Sequence, residues 1–276
     1  MASAVGWTLS KLDFEFYFIG RNGPTEWSYT FNADGQATYI KSFVPKDLTK
    51  TSLVFFCVKS YDLASSFQHL KLFSQNVIAV SLANGEVSQL IASGQNTFKH
   101  HLFRAGFSTV AVNKQQQDEF TLRSSKGEIQ FGPLKTSDQE TEQEQAITSA
   151  GTPFVWNPRI LLYQRRKWLF NTVINTLTAA RKLPCNGDLL VDMPMLTAVF
   201  DEAYHLGKDL WGGWGFARGD MFSTMIKLIE DTSANENSMA ADVRFGRRTE
   251  SQYLAGLAID KEKSKYPLLR SLHALL

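Results

Sequence analysis

At 276 residues, with 43% of positions apolar and 20% charged, the chain can bury a sizeable core, and its length falls between one large domain and two ordinary ones. A net charge of +2 and a pI near 8.4 argue neither for a nucleic-acid groove nor for an acidic tail, so specificity must come from local sites. Cys57 and Cys185 lie in unlike contexts without metal-ligand spacing, which suits a reduced, cytoplasmic setting and gives neither a catalytic role. The first dozen residues reach charges too soon for a signal-peptide core, and no apolar run approaches membrane-spanning length.

Residues 1–134 read as strands alternating with short helices. Trp7 to Leu12 is spaced for a helix, and Asp13 to Ile19, aromatic-rich and stopped by Gly20, reads as a strand. Ser52 to Val58 is a continuous apolar run of the kind found in parallel strands covered on both faces. A helix over Leu63 to Phe73, a strand over Asn76 to Leu82, a helix from Glu86 and a strand over Phe107 to Val112 complete an alternating pattern. Glu119 to Leu122 and Glu128 to Phe131, either side of Ser124 to Gly127, predict a hairpin. Lys135 to Gly151 is rich in Gln, Glu, Ser and Thr and reads as a solvated helix or loop. From Pro158 the character changes to helices at Leu161–Ala180, Met193–Leu206, Met221–Ala234 and Thr249–Ala258, with no convincing strand. An α/β half followed by an all-α half predicts two domains, 1–157 and 158–276, with a cleft between them.

The start of the chain resembles part of a dinucleotide fingerprint, in which glycines join the first strand to the first helix so that the helix N-terminus can approach a pyrophosphate. Gly6 fits the third glycine, Ser3 takes the second position and Met1 the first, which leaves the first strand outside the chain. Arg21 stands where NAD-binding proteins carry an acidic residue on the ribose, and an arginine there suits a 2′-phosphate. Lys59 and Asn84-Gly85 follow two successive strands, where α/β sheets present ligand-binding groups. A solvated arginine, a surface lysine and a tight turn are the plain structural alternatives for these positions.

In the second half, Lys167, Asn171, Asn175 and Thr178 fall at i, i+4, i+8 and i+11 and share one helical face. Such a polar stripe can line a cleft or face solvent. Asn235, Ser238 and Asp242 share another face, and Thr249 with Gln252 has capping-box spacing that would place Glu250 first in a helix.

The spacing Lys-x3-Asn-x3-Asn-x2-Thr-Ala from Lys167, the closing Asn186-Gly187, and Asn-x2-Ser-Met-x2-Asp from Asn235 followed by Arg248-Thr-Glu250 together resemble the ketopantoate reductases. Cys57-Val-Lys59, Leu82-Ala-Asn-Gly85 and Ala4-Val-Gly6 extend the resemblance over nearly the whole chain. It implies a Rossmann-type domain followed by a helical domain, and NADPH-dependent reduction of 2-dehydropantoate to pantoate on the way to coenzyme A. It further implies Lys167 as general acid and Asn84, Asn171, Asn175, Asn235, Ser238 and Glu250 as substrate-binding residues. Ser3, Gly6, Arg21, Lys59 and Asn84 would hold the cofactor. The implied setting is cytoplasmic, with a small 2-keto acid as partner, no nucleic acid or membrane, and a homodimer allowed. The incomplete fingerprint leaves a non-catalytic relative with impaired cofactor binding, or a reductase of another small 2-keto acid, as alternatives. The stretch Asp209 to Phe216, with two tryptophans and three glycines, has no counterpart in the resemblance.

Overall fold

The computed structural model describes residues 1–12, 14–116, 118–122, 127–150, 153–262 and 264–276. The chain divides into two compact units, Met1–Ala83 with Ser88–Leu161, and Asn84–Val87 with Leu162–Leu276.

The first unit opens with α1 (Ala2–Lys11) and runs through β1 (Phe18–Gly20), β2 (Gly23–Thr25), β3 (Ser28–Ala33), β4 (Gln36–Lys41), β5 (Leu53–Phe56) and α2 (Ser60–Ser66). After a 3₁₀ turn over Phe67–Leu72 come β6 (Ile78–Ser81), α3 (Ser88–Thr97), β7 (Leu102–Ser108), β8 (Val112–Gln116), β9 (Glu119–Leu122), β10 (Ile129–Pro133), α4 (Glu142–Ser149) and β11 (Phe154–Trp156). Five of these strands form one sheet in the order β11-β10-β7-β6-β5. Its β5, β6 and β7 run parallel, joined by helical crossovers; the strand expected over Phe107–Val112 instead spans Leu102–Ser108, and Val112 opens β8 of another sheet. With the helical second unit, this is a Rossmann-type α/β domain followed by an all-α domain.

The predicted strand over Asp13–Ile19 is realised only in part. Asp13 lies outside the described residues, and the paired segment is Phe18–Gly20, hydrogen-bonded to Gly23–Thr25 rather than to the parallel sheet. Its aromatic residues instead join a cluster in which Phe18 packs on Trp27 and Tyr29, and Trp7 of α1 stacks on Phe31. The predicted hairpin over 119–131 does not form, and residues 124–126 of its turn lie outside the described residues. β9 pairs with β8 and β3 in a four-stranded sheet, β4-β3-β9-β8, while β10 pairs with β7 and β11. The two runs therefore belong to different sheets.

Between Lys135 and Gly151 a short helix forms where Thr141 and Glu144 close a capping box at the start of α4. Glu144 also anchors the sheet. Its carboxylate takes Arg104 Nε at 2.7 Å and Arg104 Nη2 at 3.0 Å, with both side chains almost fully buried. Arg104 Nη2 also donates to the Gln139 carbonyl at 3.0 Å, and the guanidinium lies over the Trp156 ring.

The second unit is built on α5 (Ile160–Ala180), α6 (Met193–Trp211), α7 (Arg218–Asp231), α8 (Ser238–Arg244) and α9 (Pro267–Ala274). Its core is aliphatic and aromatic, with Trp168, Leu169, Val173, Leu196, Phe200, Met225 and Leu269 buried together. Asp192 caps α6 through Met195 N, and Gly212 ends it in the left-handed region. The Asp209 to Phe216 stretch is thus partly helix end and partly core. Trp211 packs edge-on against Trp168, and Trp214, 3% exposed, donates its indole N–H to the Tyr204 carbonyl at 2.8 Å.

The predicted helix over Thr249–Ala258 is two 3₁₀ turns, Ser251–Tyr253 and Ala255–Ala258. Thr249 is not its cap; its hydroxyl accepts only a long bond from Ser251 N, at 3.4 Å. Continuous helix fails because the Tyr253 carbonyl is turned to other donors, Glu86 N at 2.9 Å and Trp168 Nε1 at 3.1 Å. The Leu257 amide, which an α-helix would bond to Tyr253, goes to Leu254 instead. No helix among the described residues is long and apolar enough to cross a membrane.

Candidate active site

α5 carries the polar stripe. Trp168, Leu169, Val173 and Leu177 take its buried side, leaving Lys167, Asn171 and Asn175 half-buried on one face. Thr178, the fourth member, is fully buried and spends its hydroxyl on the Ile174 carbonyl at 2.5 Å, so it belongs to the helix.

Lys167 does not stand alone. Its Nζ donates to Asn84 Oδ1 at 3.0 Å, and Asn84 Nδ2 reaches Glu250 Oε2 at 3.4 Å. Three residues separated by 83 and 166 positions in sequence thus meet around one ammonium, with Glu250 itself only 5% exposed. Burial lowers the Lys167 pKa to about 8, against the opposing pull of the Glu250 carboxylate. An amine so placed carries a proton near neutrality and can release it, which is what a general acid requires.

The Asn84 carboxamide is aimed by its neighbour. Gly85 sits at φ +81, and a Cβ there would stand 2.7 Å from Tyr253 Cβ and 2.8 Å from its carbonyl oxygen. Only glycine allows the turn to close this tightly. Gly85→Ala is therefore expected to cost about 1–3 kcal/mol of stability and to displace Asn84 from Lys167. Urea unfolding and steady-state kinetics on that variant check both effects; parent-like values in each would remove the requirement for glycine.

The remaining substrate candidates are less concentrated. Asn171 and Asn175 continue the Lys167 face by one and two turns. Ser238 is exposed at the first position of α8, whose cap is Asn237, accepting from Met239 N and Ala240 N. Asn235 lies before that helix, so it and Ser238 do not share a helical face as their spacing predicts; its carbonyl receives Asn186 N at 3.0 Å. Asp242 is ion-paired with Arg247 at 2.9 Å.

The first unit holds the candidates for a nucleotide cofactor. β5 is an edge strand, flanked by a groove of about 990 Å³ that is lined by Val5, Gly6 and Leu9 of α1, by Arg21 and by β5 itself. A Cβ at Gly6 would lie 2.6 Å from Tyr29 Oη and 2.8 Å from Phe18 Cζ, so glycine lets α1 approach the strands behind it. Ser3 is buried in the first turn, and its hydroxyl has no hydrogen-bond partner among the described residues. The Met1 amino group is close enough to act electrostatically on Cys57, just past the end of β5. Burial raises that thiol to about 11, which keeps it protonated. The N-terminus of α1 thus lies near the carboxyl end of a parallel strand, the place where such sheets bind nucleotides. Arg21 is exposed in the β1–β2 turn at the groove's rim, and Lys59 is half-buried at the N-cap of α2. Gly6 and Arg21 line the groove, while Ser3 is buried one turn before Gly6 and is not part of the lining. Asn84, the remaining cofactor candidate, belongs to the segment Asn84–Val87 that packs with the helical unit.

Residues 1–136 match the family model described as ketopantoate reductase PanE/ApbA, and residues 159–276 match its C-terminal counterpart. The 2-dehydropantoate 2-reductase of Salmonella typhimurium strain LT2 is 23% identical over 224 residues, 79% of this chain and 70% of that protein. That of Vibrio cholerae is 30% identical over 140 residues, 49% of this chain and 46% of that protein. Among solved structures, a ketopantoate reductase from Ralstonia eutropha JMP134 superposes with a TM-score of 0.79 at 20% identity, covering 98% of this chain and 92% of that one. D-mandelate dehydrogenase in a ternary structure with NADH and anilino(oxo)acetate gives 0.81 at 16% identity, covering 100% and 94%.

Proposed function

Because this chain belongs to the ketopantoate reductase family, whose members are oxidoreductases acting on a CH–OH group, we propose that it reduces 2-dehydropantoate to pantoate with NADPH. The observation that carries this reading is the Lys167–Asn84–Glu250 cluster, in which a buried amine with a lowered pKa is held by a carboxamide next to a carboxylate.

When bound, NADPH would supply the hydride that reduces the keto carbon. Lys167 does the rest of the redox step: its ammonium hydrogen-bonds the C2 carbonyl oxygen and hands over a proton, so that negative charge does not build up there. The 2-hydroxy acid and a neutral Lys167 result, and solvent returns the proton. Glu250 accepts a hydrogen bond from the substrate's terminal hydroxyl and favours the charged form of Lys167. Asn171, Asn175, Asn235 and Ser238 orient the carboxylate and hydroxyl ends, while Asn84 holds the ammonium until substrate takes its place. Ser3, Gly6 and the N-terminus of α1 would hold the pyrophosphate, Arg21 the 2′-phosphate, and Lys59 a ribose or phosphate oxygen. The setting we assign is the cytoplasm, with domains at 1–157 and 158–276; a homodimer accords with the dimeric ketopantoate reductase of Staphylococcus aureus among the structural neighbours.

The D-mandelate dehydrogenase likeness favours a second reading, reduction of a different 2-keto acid. Following NADPH absorbance with ketopantoate, and with a panel of branched and aromatic 2-keto acids, separates the two. Turnover highest with ketopantoate and faster with NADPH than with NADH supports the first reading. A better aromatic substrate supports the second, and silence on every substrate overturns both.

A further inference from the structure

The Tyr253 carbonyl, which receives Glu86 N at 2.9 Å and Trp168 Nε1 at 3.1 Å, belongs to a residue whose own amide donates to the Glu250 carbonyl at 2.9 Å. Tracing these bonds gives a closed circuit. Lys167 meets Asn84, the Asn84–Glu86 turn is pinned to Tyr253, Tyr253 is tied to Glu250, and Glu250 returns to Asn84. Trp168, next to Lys167 on α5 and 1% exposed, fastens the helix bearing Lys167 to this circuit through its indole N–H.

We infer that Trp168 is a positioning residue, whose indole N–H, acting through the Tyr253 carbonyl, sets the Asn84 and Glu250 side chains against Lys167. It touches none of the reacting atoms. It acts because a carbonyl shared by two donors fixes both directions of approach, and a small misplacement of a reacting group lowers rate steeply. Its neighbour Trp214 serves as the comparison. Trp214 is equally buried, belongs to the same aromatic cluster and also donates to a backbone carbonyl, but that carbonyl is Tyr204, outside the circuit.

This role rests on the proposed reductase chemistry, so the test has two independent readouts on the full chain. Trp168→Phe is expected to lower kcat by about tenfold with little change in KM, whereas Trp214→Phe, with a similar loss of stability, leaves kcat unchanged. Separately, the rate of Lys167 acetylation against pH, resolved by mass spectrometry, should rise with a midpoint near 8 in the parent protein. In Trp168→Phe that midpoint should move upward, because a loosened circuit admits water to an amine whose pKa is lowered mainly by burial. Should Trp168→Phe fail to fold, a 3-benzothienylalanine at the same position keeps the shape and lacks only the N–H. An unchanged midpoint in the folded variant overturns the inference, as does an equal loss of kcat in Trp214→Phe. A shifted midpoint in a protein that reduces no 2-keto acid upholds the positioning role and discards the reductase reading instead.

Discussion

A Lys167→Met variant should fold like the parent and lose turnover by about 10²–10⁴-fold, the range that general acids contribute. Its loss should fall on kcat, since the proton is transferred only as the carbonyl is reduced. The parent enzyme should show the same group in its pH profile. The acid is the protonated amine, so the chemical step should be fastest below the Lys167 pKa of about 8 and decline as pH rises through it. Stability moves the other way: the folded state releases the Lys167 proton at a lower pH than the unfolded chain, whose lysine titrates near 10.5. Between those values the unfolded state binds more protons, so this residue makes stability rise with pH. Rate and unfolding measurements across pH 7–10.5 check both signs, and parent-like turnover by Lys167→Met would sink the mechanism.

Glu144→Ala should be the most destabilising single change in the first unit. It leaves the Arg104 guanidinium, 1% exposed, without the carboxylate that accepts two of its N–H groups. Breaking a buried pair from one side costs about 3–5 kcal/mol, and losing the capping box at Thr141 adds about 1 kcal/mol. The paired replacement Arg104→Met with Glu144→Leu should recover much of this, because two apolar groups leave no charge stranded. Denaturant titration of both variants decides the matter. A loss below about 1 kcal/mol for Glu144→Ala would mean that water or a neighbour such as Asp138, 3.7 Å from Arg104, already compensates the charge.

The helical unit was the more legible half of the sequence. α5, α6 and α7 lie within a few residues of their predicted starts, because long amphipathic segments announce themselves through periodicity. The β-rich insertion was less legible. Asp34 and Gly35, at φ +51 and +78, form the turn between β3 and β4, and Asp-Gly between alternating residues is a hairpin signal that could have located both strands. Phe18 and its aromatic neighbours read as a strand for the parallel sheet, yet their rings serve a cluster with Trp27 and Tyr29 that only the tertiary fold creates. At the site, the spacing of Lys167, Asn171 and Asn175 was visible as a helical face. The shared Tyr253 carbonyl was not, since a backbone acceptor leaves no mark on residue type, and the same contact interrupts the helix predicted over Thr249–Ala258.

The site's three central residues also set an order of events during synthesis. Asn84 leaves the ribosome 166 residues ahead of Glu250, an interval of roughly 10–30 s at usual elongation rates. For the second half of that interval, once Lys167 has followed Asn84 by 83 residues, the nascent chain carries the lysine and the carboxamide without the Glu250–Tyr253 turn that completes the site. Termination between Trp156 and Glu250 therefore yields a polypeptide that holds the strands of the first unit and still lacks a functioning centre.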